Sequence, residues 1–132
     1  MAIVVDTSTV IAVAANEPLK PRLVELTRGQ ELIAVATLPW EIGNAVSAMF
    51  KRKRATLEQG LALIAQFQQI PIRLADVPLE ESVALAATLN IYAYDAYVIQ
   101  CARQTGHAVL SLDAGLIDAA HRAGVAVLEV TP

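Results

Sequence analysis

A single cysteine, Cys101, stands in 132 residues, and that scarcity closes off two architectures at once. Neither a disulfide framework nor a cysteine-based zinc site can be built from one thiol. His107 and His121 are too far apart in sequence to share a metal-ligand spacing, so structural roles at or near the surface are expected for both. Glycine occurs only six times, and no G-x-G-x-x-G or P-loop signature is among the six, which excludes nucleotide sites of those kinds. Ser8, Ser47, Ser82 and Ser111 sit in no nucleophile-elbow motif. No apolar run reaches the length of a membrane span, and residues 1–15 carry no basic leader. A cytoplasmic chain without a membrane partner is therefore expected. Excess positive charge is missing too: the net charge of −3 argues against broad electrostatic affinity for nucleic acid.

What the chain does have is aliphatic bulk. It is 55% hydrophobic but only 5% aromatic, a balance suited to α/β packing. Its length suits one domain, 1–132, and no linker, repeat or low-complexity run divides it. "AIVVD" (2–6) reads as a buried parallel strand ending in an acid. Helices are predicted over 8–15 and 18–28, the second ending at Gly29, and a strand over 32–37. "LPWEIGNAVSAMFKRKR" (38–54) reads as a helix with Pro39 in its first turn and basic residues in its last. A helix over 56–69 leads to a strand over 70–77, and helices follow over 79–90 and 94–105. Within the last of these, Cys101 shares a face with Tyr94, Val98 and Ala102, which predicts a small buried core residue. "AVLSLD" (108–113) is a strand, 115–123 a helix closed by Gly124, and "VAVLEV" (125–130) a final strand. Strands alternating with helices predict a mainly parallel sheet covered on both faces.

In such a sheet the ligand crevice lies beyond the carboxyl ends of the strands. Asp6 ends the first strand and Asp113 the fourth; Glu41 lies in the first turn after the second; Asp95 opens the helix before the fourth. Each acid alone has a plain explanation as a helix cap or a partner of the helix dipole. Together they define a pocket of carboxylates that repel one another unless a cation neutralises them. Hard oxygen ligands suit Mg2+ or Mn2+, and the chemistry then open is phosphodiester hydrolysis.

The pieces "VVDTS" (4–8), "LPWEIGNAV" (38–46), "YDAYVIQCA" (94–102) and "LSLDAGLIDAAHRAGV" (110–125) together resemble the PIN-domain ribonucleases, most closely their small VapC-type toxins. The resemblance covers the chain nearly end to end. It implies a PIN-like three-layer α/β fold, Mg2+- or Mn2+-dependent cleavage of RNA, homodimerisation and a cognate antitoxin protein. Carried onto this sequence, Asp6 and Asp95 become the principal metal ligands, Glu41 a ligand directly or through water, and Asp113 the more variable fourth acid. Ser8 corresponds to a hydroxyl that orders the first acid. Asn44 could hydrogen-bond within the pocket. For both, N-cap and helix-surface roles stand as equal alternatives. Where the family often has threonine two residues before the fourth acid, this chain has Ser111, a conservative departure.

Lys51, Arg52, Lys53 and Arg54 admit two readings, a solvated helix end or a contact to RNA phosphates, and the sequence leaves both open. Trp40 reads as core or dimer interface rather than a base-stacking platform, and Phe50, Tyr92 and Tyr97 share that expectation. Two other functions compete. A receiver-like signalling domain wants paired acids after the first strand and a lysine late in the chain, and both are absent, since Lys53 is the last lysine. A catalytically inactive PIN-like module that only binds RNA or a partner is opposed by the presence of all four acids.

Overall fold

Successive side chains of a strand point to opposite faces, and the first strand, β1 (Ala2–Val5), is buried on both. Ala2 and Val4 enter one apolar cluster, while Ile3 and Val5 enter another. Such a strand belongs inside a sheet covered on two sides. The structure, a computed structural model that describes residues 1–131, contains that sheet. β2 (Glu31–Val35), β3 (Ile72–Ala75) and β4 (Ala108–Leu110) join β1 in the order β3-β2-β1-β4, with every pairing parallel.

One face is covered by α1 (Thr7–Ala14), α2 (Lys20–Thr27), α3 (Leu38–Lys51) and α4 (Leu57–Gln69), whose Val10, Leu23, Ile42, Val46 and Leu63 pack with Ile3 and Val5. The other is covered by α5 (Leu79–Leu89), α6 (Ala93–Thr105) and α7 (Ala114–Arg122), through Leu85, Val98, Ile99, Leu116 and Ala119. The three-layer α/β architecture expected from the sequence is thus observed. Cys101 is fully buried in the second cluster. Among the described residues no single helix is long and apolar enough to cross a membrane. Where α4 crosses α3 the packing tolerates no side chain. A Cβ on Gly60 would stand 2.5 Å from the Phe50 ring and 2.8 Å from a Val46 methyl.

Four expectations change. The predicted strand over 125–130 is reduced to a single parallel bridge, Val109 to Val127, held by Val109 N–H to Ala126 C=O and Leu128 N–H to Val109 C=O, each 2.9 Å. β4 is only three residues long before the chain turns toward α7, so no ladder is left to extend. Next, α3 stops at Lys51 rather than running to 54. Lys53 takes a left-handed φ of 56°, and Arg54 N–H and Lys53 N–H bond back to the carbonyls of Met49 and Phe50, closing the helix as a Schellman turn. Tyr94 shares the helical face of Cys101 yet is exposed, because it lies in the first turn of α6, beyond the sheet that buries Cys101. Finally, Trp40 and Tyr92 are exposed, which removes the core half of the core-or-interface expectation, while Phe50 and Tyr97 pack partly buried against the two clusters.

Candidate active site

The chain lays down β1, β2 and β3 in one direction and then returns to place β4 on the opposite side of β1. An open parallel sheet forms its crevice at such a reversal, outside the carboxyl ends of the strands. Val5 is in register with Leu110, so the next residues, Asp6 and Ser111, emerge side by side there. Both are buried. The Ser111 hydroxyl donates to Asp6 Oδ2 at 2.5 Å and accepts from the Asp113 N–H at 3.0 Å, linking the acids that follow β1 and its neighbour β4.

Asp6 is also the N-cap of α1, its Oδ1 accepting the Thr9 N–H at 3.0 Å. The Ser8 hydroxyl lies 2.8 and 2.9 Å from the two Asp6 oxygens and itself accepts the Leu112 N–H. Of the two roles open to Ser8, the ordering of the first acid is therefore the one observed. Glu41 is gripped from both sides. Thr7 Oγ1 donates to its Oε1 at 3.0 Å and Thr37 Oγ1 to its Oε2 at 2.7 Å. Asp113 caps α7, and its Oδ1 accepts the N–H groups of Gly115 and Leu116 at 2.8 and 3.2 Å.

Asp95 departs from the capping explanation. The N-cap of α6 is Tyr92, Asp95 is the third helical residue, and its carboxyl receives no hydrogen bond among the described residues. Half-buried, it is held above the usual carboxylate range, first by desolvation and then by the charges of Asp113, Asp6 and Glu41. Four acids from four helix beginnings thus share one field, and none of the ion pairs among the described residues involves them.

Hard, anionic oxygens without a protein counter-charge fit a divalent cation in their chemistry. Their spacing sets a limit. Among the described residues no three His, Cys, Asp or Glu side chains stand close enough to hold one ion together. Ligation by one or two of these acids, with water completing the shell, is the arrangement this spacing admits, and it is the usual habit of Mg2+.

Sequence reasoning missed two hydroxyls, Thr7 and Thr37, that fix Glu41, and named Ser111 without foreseeing its bond to Asp6. The available signals were slight: Thr37 is four residues before Glu41, and Ser111 two before Asp113. Asn44 is exposed and lines a cleft of about 370 Å3 with Thr7, Thr37, Trp40, Glu41, Ala45 and Tyr94. Lys51, Arg52, Lys53 and Arg54 are exposed at the far end of α3, outside the site. Glu41 and Lys51 are separated by ten residues, roughly 15 Å along a helix. His107 is half-buried and His121 exposed.

A doubly covered parallel sheet with acids collected at its switch point defines an α/β protein built around an anionic crevice. The chain belongs to the PIN-domain family, whose model matches residues 3–122. No match is found among the curated proteins. Solved structures share the fold. Protein PAE2754 from Pyrobaculum aerophilum superposes with a TM-score of 0.71 at 18% identity, over 90% of this chain and 79% of that one. FitAcB from Neisseria gonorrhoeae gives 0.67 at 20% identity, over 97% of each chain. The Mycobacterium tuberculosis toxin VapC20, described as cleaving the sarcin-ricin loop, gives 0.64 at 16% identity, over 96% of this chain and 98% of that one.

Proposed function

We propose that this chain, a single domain over 1–132, is an Mg2+- or Mn2+-dependent endoribonuclease and the toxin of a toxin–antitoxin pair. Membership of the PIN family supports that reading, as does the likeness to a toxin described as cleaving the sarcin-ricin loop. The observation that carries it is Asp95, a half-buried carboxyl with no hydrogen-bond donor that faces three further acids. A divalent cation relieves that repulsion. When bound, it supplies a polarised phosphoryl oxygen and an attacking water of lowered pKa.

The chain's own residues supply the positioning. Asp6 and Asp95 are the assigned principal ligands, and the spacing leaves Glu41 and Asp113 to act on the ion through water. Ser8, Thr9 and Ser111 fix the Asp6 carboxylate against β4, so its oxygens have one orientation before substrate arrives. Thr7 and Thr37 do the same for Glu41. Such preorganisation removes reorganisation from the reaction itself. The same anionic crevice suits inhibition by an antitoxin arginine, whose guanidinium binds carboxylates bidentately. Homodimerisation is part of the same reading.

The test is cleavage of RNA by the purified chain with Mg2+, with Mn2+ and with excess chelator, alongside Asp95→Asn. Cleavage that depends on added metal and is lost in the variant is expected. Undiminished rates in chelator, or in Asp95→Asn, would overturn the assignment, and no cleavage under any condition would leave a binding module.

A further inference from the structure

The chain has six aromatic residues, one Trp, three Tyr and two Phe. Three of them, Trp40, Tyr92 and Tyr94, are exposed, by 79%, 87% and 58%. All three sit in or just before the first turns of α3 and α6, at the carboxyl edge of the sheet. Large aromatic surface left in water at one edge, beside a set of acids, calls for an occupant. Trp40 and Tyr94 both line the cleft of about 370 Å3 that also contains Thr7, Glu41 and Asn44. That volume falls within the range of small-ligand pockets, about 300–1,000 Å3.

We propose that Trp40 and Tyr94 receive an unpaired nucleobase of the RNA substrate in this cleft, and thereby select which sequences are cut. The proposal rests on the ribonuclease reading above and adds a base-recognition subsite to it. The cleft is continuous with the acids, since Glu41 and its donor Thr7 belong to both. Glu41 is its one charged lining residue. A phosphate is repelled from such a lining, whereas a neutral base is not, and the amino groups of a base can donate to Glu41. Asn44 lies four residues after Trp40, on the same face of α3, where its amide offers a donor and an acceptor to a base edge. Tyr97 meets the Tyr94 ring edge-to-face, with centroids 5.7 Å apart and planes at 85°, so the platform is braced before anything binds. Base–aromatic stacking tolerates any base, and the polar groups at the rim supply the discrimination.

Trp40 is the only tryptophan, so its fluorescence reports on the cleft alone. Wild type, Trp40→Ala and Trp40→Phe are compared in steady-state cleavage of short single-stranded oligoribonucleotides, each of one base type, and of their abasic counterparts. The same oligonucleotides are titrated against wild-type Trp40 fluorescence in chelator. Trp40→Ala should raise KM about tenfold with kcat unchanged, as expected for loss of one stacked base, and Trp40→Phe should restore most of it. Base-bearing oligonucleotides should quench the fluorescence and abasic ones should not. An unchanged KM in Trp40→Ala, while wild type cleaves, overturns the subsite and leaves the nuclease reading intact. So does loss of binding to a protein partner in that variant with RNA kinetics unaltered. If wild type cleaves nothing, the nuclease reading falls. Quenching then decides the subsite alone: base-dependent quenching upholds it, and equal or absent quenching overturns it.

Discussion

Replacing Ser111 by alanine removes one hydroxyl from the centre of the site, and the hydrogen-bond geometry sets the size of the effect. Ser111 is fully buried, and its hydroxyl donates to Asp6 Oδ2 while accepting the Asp113 N–H. A hydrogen bond to an ionised group contributes about 1.5–3 kcal/mol. The Asp113 N–H belongs to an exposed residue, so water can replace its lost acceptor and little more is added. Asp6 keeps Ser8 and the Thr9 N–H, which prevents the larger penalty of a buried carboxylate left bare. Ser111→Ala should therefore destabilise the fold by about 2–3 kcal/mol, read from urea unfolding in chelator so that no ion binding enters. Cleavage should slow as well, because Asp6 loses one of the groups that orient it. The same measurement on Asp6→Ala and on the double variant closes a thermodynamic cycle, with an expected coupling of at least about 1 kcal/mol. A destabilisation under about 0.5 kcal/mol, or a coupling near zero, refutes the claim that this bond organises the site.

Asp95→Asn should raise the urea midpoint of the metal-free protein near neutral pH. Folding holds this carboxyl above its ordinary value, so the penalty is absent below the unfolded pKa and grows as pH rises through the folded one; a gain that persists in strong acid contradicts the sign. Gly60→Ala should lower stability by about 1–3 kcal/mol, since the added methyl meets the Phe50 ring and Val46 where α4 crosses α3; an unchanged melting temperature would show that α3 and α4 slide apart at little cost. Asp118→Asn should cost less than about 1 kcal/mol and leave cleavage nearly unchanged, because Asp118 makes only an exposed i,i+4 pair with Arg122 at 3.0 Å. Asp113→Asn should slow cleavage, though less than loss of Asp6 or Asp95, and the reverse ranking of the 113 and 118 variants in single-turnover assays defeats the assignment.

The sheet was legible because its determinants are local. Four consecutive apolar residues in β1 require cover on both faces, and Pro39 and Gly124 mark where helices begin and end. The acids were legible for the same reason, each lying next to an element boundary. What holds them was not. Ser111 and Asp6 are 105 residues apart, and their meeting depends on β1 and β4 being in register, which no local pattern announces. The end of α3 was misjudged because a lysine, not a glycine, takes the left-handed position that stops it. Trp40 was assigned to the core or a dimer interface because large aromatics usually go there. Its exposure depends on α3 carrying its first turn past the sheet edge, a matter of tertiary placement.

Capping and ligand binding are often weighed as rival explanations of an acid at a helix start, but a parallel sheet makes them compatible. Helices that follow parallel strands begin at the same edge as the crevice, so an acid there can cap a helix and face a ligand at once. The useful question is how much of each carboxylate the fold consumes. Asp6 has both oxygens engaged by Ser8, Thr9 and Ser111, and Glu41 has both engaged by threonines. Asp113 spends Oδ1 on its cap and keeps Oδ2 free of hydrogen bonds among the described residues. Asp95 spends neither oxygen. Its position also carries a cost, since burial and three neighbouring charges oppose its ionised form. A carboxylate that caps nothing, accepts nothing and is opposed by burial and neighbouring charge keeps only its first-turn place in the helix dipole as a local reason to be there. The proposed cation, arriving from outside, accounts for its presence in α6.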